Sequence, residues 1–169
     1  LPAAEVGGDY YDLQPLSETR MGVLVADVSG KGTSAALYMA ELKGLVLSLS
    51  RIYESPARLL CEANRILAAN MDSRSFVTMT YAVVDTVSRR MRYARAGHNP
   101  LIHFQARTGL TRVLTPAGLG LGLDAGDRFD KILQEDEVPL DAGDFFLFFT
   151  DGLSEAMNPG AELFGEGRL

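Results

Sequence analysis

The hydrophobic period changes twice along this 169-residue chain, and the order of those changes limits the fold more than any other feature. Period two opens the sequence. Val6 to Leu13 reads as a strand, a polar turn follows around Ser17-Glu18-Thr19, and Met21 to Asp27 reads as its antiparallel partner. After the glycine-rich Val28-Ser29-Gly30-Lys31-Gly32 the spacing becomes helical. Ala35, Met39, Leu42, Val46 and Leu49 form one apolar stripe, with Thr33 or Ser34 placed to cap it. A second stripe, Leu60, Ala63, Leu67 and Met71, follows Ser55-Pro56, where proline suits a first helical turn. The short connection predicts that the two helices pack antiparallel.

Period two then returns and stays. Phe76 to Asp85, Arg89 to Ala96, Pro100 to Gln105 and Leu110 to Leu114 read as strands, with reversals at Ser88-Arg89 and Thr108-Gly109. Lys131 to Val138 reads as a weaker strand. Asp144 to Thr150 reads as a central one, because Phe145-Phe146-Leu147-Phe148-Phe149 is apolar on both faces. Strands, two helices, then many strands predict an α+β fold of mostly antiparallel sheets with helices on an outer face. A doubly wound parallel sheet needs helices and strands to alternate, and here they do not.

The length suits a single domain over 1–169, and an apolar fraction of 47% supplies its core without disulfides. Cys61 has no internal partner, which points to a reducing, cytoplasmic setting. No apolar run approaches the ~20 residues of a membrane helix. Leu1-Pro2-Ala3-Ala4-Glu5 is not a signal peptide, and the missing initiator methionine suits an excised or processed chain. A net charge of −6 without a basic stripe argues against nucleic acid as a partner.

Three carboxylates stand where strands end in glycine-assisted turns: Gly7-Gly8-Asp9, Ala26-Asp27-Val28-Ser29-Gly30 and Thr150-Asp151-Gly152. A strand end holds such a group on a rigid scaffold, and nearby glycines let carbonyls and water approach. The opening hairpin brings Asp9 towards Asp27, and two close carboxylates repel unless a proton or cation lies between them. Mg²⁺ and Mn²⁺ favour oxygen ligands of this kind. Each dipeptide alone is also an ordinary turn signal. The three together, each after an apolar strand, point to a metal site.

Other candidates carry less. Ser29-Gly30-Lys31-Gly32-Thr33 is not a P-loop, because Gly32 stands where Ser or Thr must follow the lysine. Gly118-Leu119-Gly120-Leu121-Gly122 lacks dinucleotide-binding spacing and a strand–helix unit around it. His98 reads as a structural loop histidine, with a place near a site as the alternative, His103 as a residue of an alternating strand, and Cys61 as helix packing.

The blocks that carry those aspartates resemble a known family. Pro2-Ala3-Ala4-Glu5-Val6-Gly7-Gly8-Asp9-Tyr10-Tyr11-Asp12 is similar to the opening motif of the PPM phosphatases of the RsbU/SpoIIE branch. Ala26-Asp27-Val28-Ser29-Gly30-Lys31-Gly32 with Ala35-Ala36 resembles the second motif. Ala96-Gly97-His98-Asn99-Pro100, Phe149-Thr150-Asp151-Gly152-Leu153 and Leu163-Phe164-Gly165 resemble later blocks in the same order. The resemblance implies a β-sandwich flanked by helices and a centre of two Mn²⁺ or Mg²⁺ ions. Asp27 would bridge both ions, the Val28 carbonyl would face one, and Asp9 and Asp151 would serve one each. Asp12 matches the motif with a structural or supporting role. The family pattern extends beyond both ends of this chain and closes with another metal-binding aspartate, so the resemblance implies a domain truncated at both ends with one metal site incomplete.

The implied activity is hydrolysis of phosphoserine or phosphothreonine on a partner protein by metal-activated water, in bacterial sigma-factor or stress signalling. The implied substrate is a phosphorylated anti-sigma-factor antagonist, a STAS-domain protein. An upstream sensor domain and a homodimer suit the same reading. Two alternatives stay open: a non-catalytic interaction module on this fold, and a metal-dependent phosphodiesterase or nucleotide hydrolase.

Overall fold

The computed structural model describes residues 7–72 and 74–169. The Pro2 to Val6 part of the opening motif, and the expected strand start at Val6, lie outside the described residues. β1 (Asp9–Pro15) and β2 (Arg20–Val28) form the expected antiparallel hairpin. α1 (Thr33–Leu49) and α2 (Pro56–Asn70) follow. They run antiparallel, because Tyr38 near the start of α1 bonds to Asp72 just past the end of α2. Ser55 caps α2 by accepting the Arg58 N–H, with Pro56 in its first turn. The expected Thr33 or Ser34 cap of α1 is absent. Gly32, at φ 84°, holds the N-cap position and Thr33 is already helical.

β3 (Val77–Asp85), β4 (Arg90–Ala96) and β7 (Glu135–Pro139) continue the first sheet in the order β1-β2-β3-β4-β7, all antiparallel. β5 (Leu101–Gln105), β6 (Leu110–Leu114) and β8 (Phe145–Leu147) form a second sheet in the order β6-β5-β8. Alternation assigns each face of the larger sheet to a different core. Leu24, Ala26, Val77, Met79 and Tyr81 pack under Leu42, Val46, Leu60 and Leu67 of the helices. Ala82, Met91 and Tyr93 point the other way and meet Leu101 and Phe146 of the smaller sheet. The result is three layers, helices on sheet on sheet, as the α+β expectation requires. Among the described residues no helix is long and apolar enough to cross a membrane.

Two predicted strands differ from the structure. Lys131 and Ile132 belong to a short helix, α3 (Asp127–Ile132), which buries Phe129 in the helix-side core. Asp127 and Asp130 in its first turn and Lys131 in its last match the helix dipole. The strand proper starts at Glu135. Its acidic residues meet arginines on β4: Glu135 lies 3.7 Å from Arg92, and Glu137 pairs with Arg90. Cross-strand charge thus makes an edge strand from a stretch with weak apolar alternation. The phenylalanine run is not a central strand either. β8 has three residues and pairs only with β5, leaving Phe145 exposed. Pairing stops at Leu147, and the Phe149 carbonyl bonds instead to His98.

The glycines rejected as a nucleotide motif have a packing role. A Cβ on Gly118 would lie 1.9 Å from the Arg95 carbonyl oxygen, and one on Gly97 (φ 67°) would lie 2.7 Å from the Gly120 nitrogen. Backbone therefore packs directly on backbone beside the end of β4. Gly118→Ala is expected to destabilise the protein by about 1–3 kcal/mol through overpacking, seen as an earlier urea unfolding midpoint. An unchanged midpoint would contradict this packing.

Candidate metal centre

Hairpin register places Asp9 directly opposite Asp27, so their side chains leave the same face of the sheet. That face looks towards the smaller sheet. Asp12 has the opposite parity and turns away. Its carboxylate accepts the Tyr10 hydroxyl at 2.8 Å, the Gln14 amide at 3.2 Å and the Leu13 N–H at 3.0 Å. It does not join Asp9 and Asp27.

Asp151 arrives from the other layer. After β8 the chain crosses to a short helical turn, α4 (Asp151–Ser154), which starts at the aspartate. Carboxylate oxygens of Asp9, Asp27 and Asp151 lie within 4.8 Å of one another. The Thr150 hydroxyl donates to Asp9 Oδ2 at 2.8 Å and links this turn to β1. Val28 and Gly8 complete the cradle. The Val28 N–H donates to the Gly8 carbonyl at 3.2 Å. A Cβ on Gly8 would lie 2.3 Å from the Val28 carbonyl oxygen and 3.1 Å from Asp27 Oδ1, so only glycine fits against both oxygens.

The electrostatics of this cluster are those of uncompensated negative charge. Among the described residues no arginine or lysine forms an ion pair with any of the three. Burial pushes the Asp27 carboxyl up to about 6, helped by a hydrogen bond shared with Asp9 and by the charges of Asp9 and Asp151. In the metal-free protein this carboxyl therefore keeps its proton to a higher pH than an ordinary aspartate does. Three close carboxylates beside a packed carbonyl, with no cationic side chain, match what a hard divalent cation takes as ligands. Beside them opens a cleft of about 630 Å³ between β1–β2 and β8, bordered by Tyr11, Leu13, Val23, Phe146 and Phe148.

Two histidines gain their partners only in three dimensions. His98 is 5% exposed and lies between the layers. Its Nδ1 is 2.9 Å from the Thr78 hydroxyl and its Nε2 is 3.1 Å from the Phe149 carbonyl. Burial holds its pKa below the usual histidine value, opposed by the Phe149 bond and the nearby Asp9 and Asp151 charges. His103 is buried as well, bonded through Nε2 to Asp144 at 2.8 Å and stacked on Phe146 with centroids 4.2 Å apart. The alternation of β5 marks His103 as inward-facing. Its partner lies 41 residues away, beyond the reach of any local pattern.

Comparison with known proteins gives this arrangement a family context. The sequence profile of Stage II sporulation protein E (SpoIIE) matches residues 17–169. The chain is 32% identical over 155 residues to the phosphoserine phosphatase RsbU of Bacillus subtilis, covering 92% of this chain and 45% of RsbU. It spans less than half the length of that relative. The crystal structure of the RsbU and RsbW domains of a Mycobacterium tuberculosis protein superposes with a TM-score of 0.76 at 30% identity, covering 98% of this chain and 44% of that one. RsbX, crystallised with magnesium, has the same fold at 19% identity and a TM-score of 0.71, with 88% of this chain and 68% of that chain covered.

Proposed function

The chain belongs to the SpoIIE family, and on that premise we propose that residues 1–169 form one phosphatase-type domain acting on phosphoserine or phosphothreonine of a partner protein. The observation that carries this reading is the meeting of Asp9 and Asp27 of the β1–β2 hairpin with Asp151 of the turn after β8, within 4.8 Å. The name of the relative RsbU, a phosphoserine phosphatase, supports the choice of substrate class. Asp9, Asp27, Asp151 and the Val28 carbonyl would hold two Mn²⁺ or Mg²⁺ ions, with Asp27 shared between them, Asp9 and Asp151 serving one each, and the Val28 carbonyl facing one. When bound, such ions lower the pKa of water and offset charge on the phosphoryl oxygens.

The residues of the chain divide the remaining work. Asp27, whose carboxyl pKa is raised by burial, would give up its proton to hold a cation. Thr150 holds the Oδ2 oxygen of Asp9. Gly8 keeps Val28 and Asp27 packed together at the cleft. No side-chain nucleophile is required. The partner we favour is a phosphorylated STAS-domain antagonist of an anti-sigma factor, in a protein that also carries a sensor domain and acts in the cytoplasm.

The test compares Mn²⁺-dependent phosphate release from a phosphoserine peptide and from a nucleotide, using the protein at its natural full length. Release from the peptide alone is expected. Release from the nucleotide alone would favour the nucleotide hydrolase, and release from neither would favour a binding module.

A further inference from the structure

The segment that delivers Asp151 has few anchors. Its ladder to β5 ends at Leu147, and the backbone bonds beyond it stay within the segment that follows: Leu153 N–H to Thr150, Glu155 N–H to Asp151 and Gly165 N–H to Ser154. Among the described residues two polar links tie it to the larger sheet. One is the exposed Thr150–Asp9 bond, and the other is His98, which is buried. Repulsion among three carboxylates acts to push this segment away from Asp9 and Asp27.

His98 is built to resist that push. Its backbone is wedged, since Gly97 sits at positive φ against Gly120 and Arg95 donates to the His98 carbonyl at 2.5 Å. Its two ring nitrogens reach two different elements. Thr78, bonded through Nδ1, stands on β3 directly opposite Asp27. Phe149, bonded through Nε2, lies two residues before Asp151. A carbonyl can only accept, so Nε2 carries the proton. Nδ1 is then an acceptor for the Thr78 hydroxyl. One neutral imidazole therefore spans from the strand pair holding Asp27 to the turn holding Asp151.

We infer that His98 is a positioning residue, which through the Phe149 carbonyl fixes where the Asp151 carboxylate stands relative to Asp27. This rests on the metal reading of the three aspartates. It goes beyond that reading by assigning a role to a residue that is not itself a ligand. Groups that orient ligands typically change metal affinity about 10–100-fold when removed.

Mn²⁺ affinity by titration calorimetry and amide hydrogen exchange of the metal-free protein test the inference on full-length protein. His98→Gln keeps an amide N–H near the Nε2 position, whereas His98→Asn keeps a polar group only near Nδ1. His98→Ala and His98→Asn are expected to lower Mn²⁺ affinity about 10–100-fold and to speed exchange at Leu153 and Glu155. His98→Gln is expected to retain both wild-type values, and amides of the β2–β3 ladder should stay protected in all variants. Equal affinity and exchange in wild type and variants would overturn the role, and so would a Gln variant as impaired as Ala. Wild-type protein that takes up no Mn²⁺ would instead remove the metal reading itself, and this inference with it.

Discussion

Asp27→Asn is expected to cut metal-dependent phosphopeptide turnover by about three orders of magnitude, at the upper end of the loss seen when a preorganised electrostatic group is removed. It is also expected to make the metal-free protein more stable near neutral pH. Both effects come from the same environment. Burial and the neighbouring Asp9 and Asp151 raise the carboxyl from 3.8 to about 6 on folding. The folded state thus binds this proton more tightly than the unfolded chain. The associated stability is fully present below 3.8 and is lost as pH rises through about 6. An amide at this position carries no charge to repel its neighbours, so that loss disappears. It also cannot bridge cations as a carboxylate does. Calorimetric melts in chelator at about pH 5 and about pH 7.5 should show a fall for wild type that is smaller in the variant. Turnover by Asp27→Asn at the wild-type rate would sink the proposed metal centre.

Gly8→Ala is the second large effect. The new Cβ would lie 2.3 Å from the Val28 carbonyl oxygen, an atom of the backbone that cannot swing aside as a side-chain tip does. Relief requires β1 and the Asp27–Val28 turn to separate, which also stretches the bond from Val28 N–H to Gly8. Overpacking of this kind costs about 1–3 kcal/mol. The expected outcome is a lower melting temperature together with Mn²⁺ affinity reduced at least about tenfold, by displacement of Val28 and Asp27. Gly7→Ala is the control, since its Cβ would meet nothing closer than 4.0 Å. Wild-type Mn²⁺ affinity in Gly8→Ala would show that Val28 does not belong to the site.

Much of the fold is legible in the sequence because it is written in local periods. The opening hairpin, both long helices and the strands from Phe76 to Leu114 follow from spacings that a short window contains. The hairpin also predicts that Asp9 approaches Asp27, since a turn centred near Glu18 sets them opposite one another. Two stretches fail for physical reasons. The six residues of α3 are too few for a helical period to declare itself, and burial of Phe129 decides the matter. The Phe145 to Phe149 run looks central because it is apolar on both faces, yet only β5 pairs with it.

The site divides the same way. Asp9 and Asp27 belong to one hairpin, and local pairing brings them together. Asp151 enters the candidate list from its own turn signal and from the family resemblance, and no spacing within the chain says that it reaches the other two. That meeting needs the smaller sheet to pack on the larger one, and it is held by Thr150 and by His98, a residue whose sequence context favours a structural loop role. Local periods carry the elements, the hairpin register and the residue types able to hold a cation. Which side chains share the site follows from packing between layers, which joins residues that no backbone period relates.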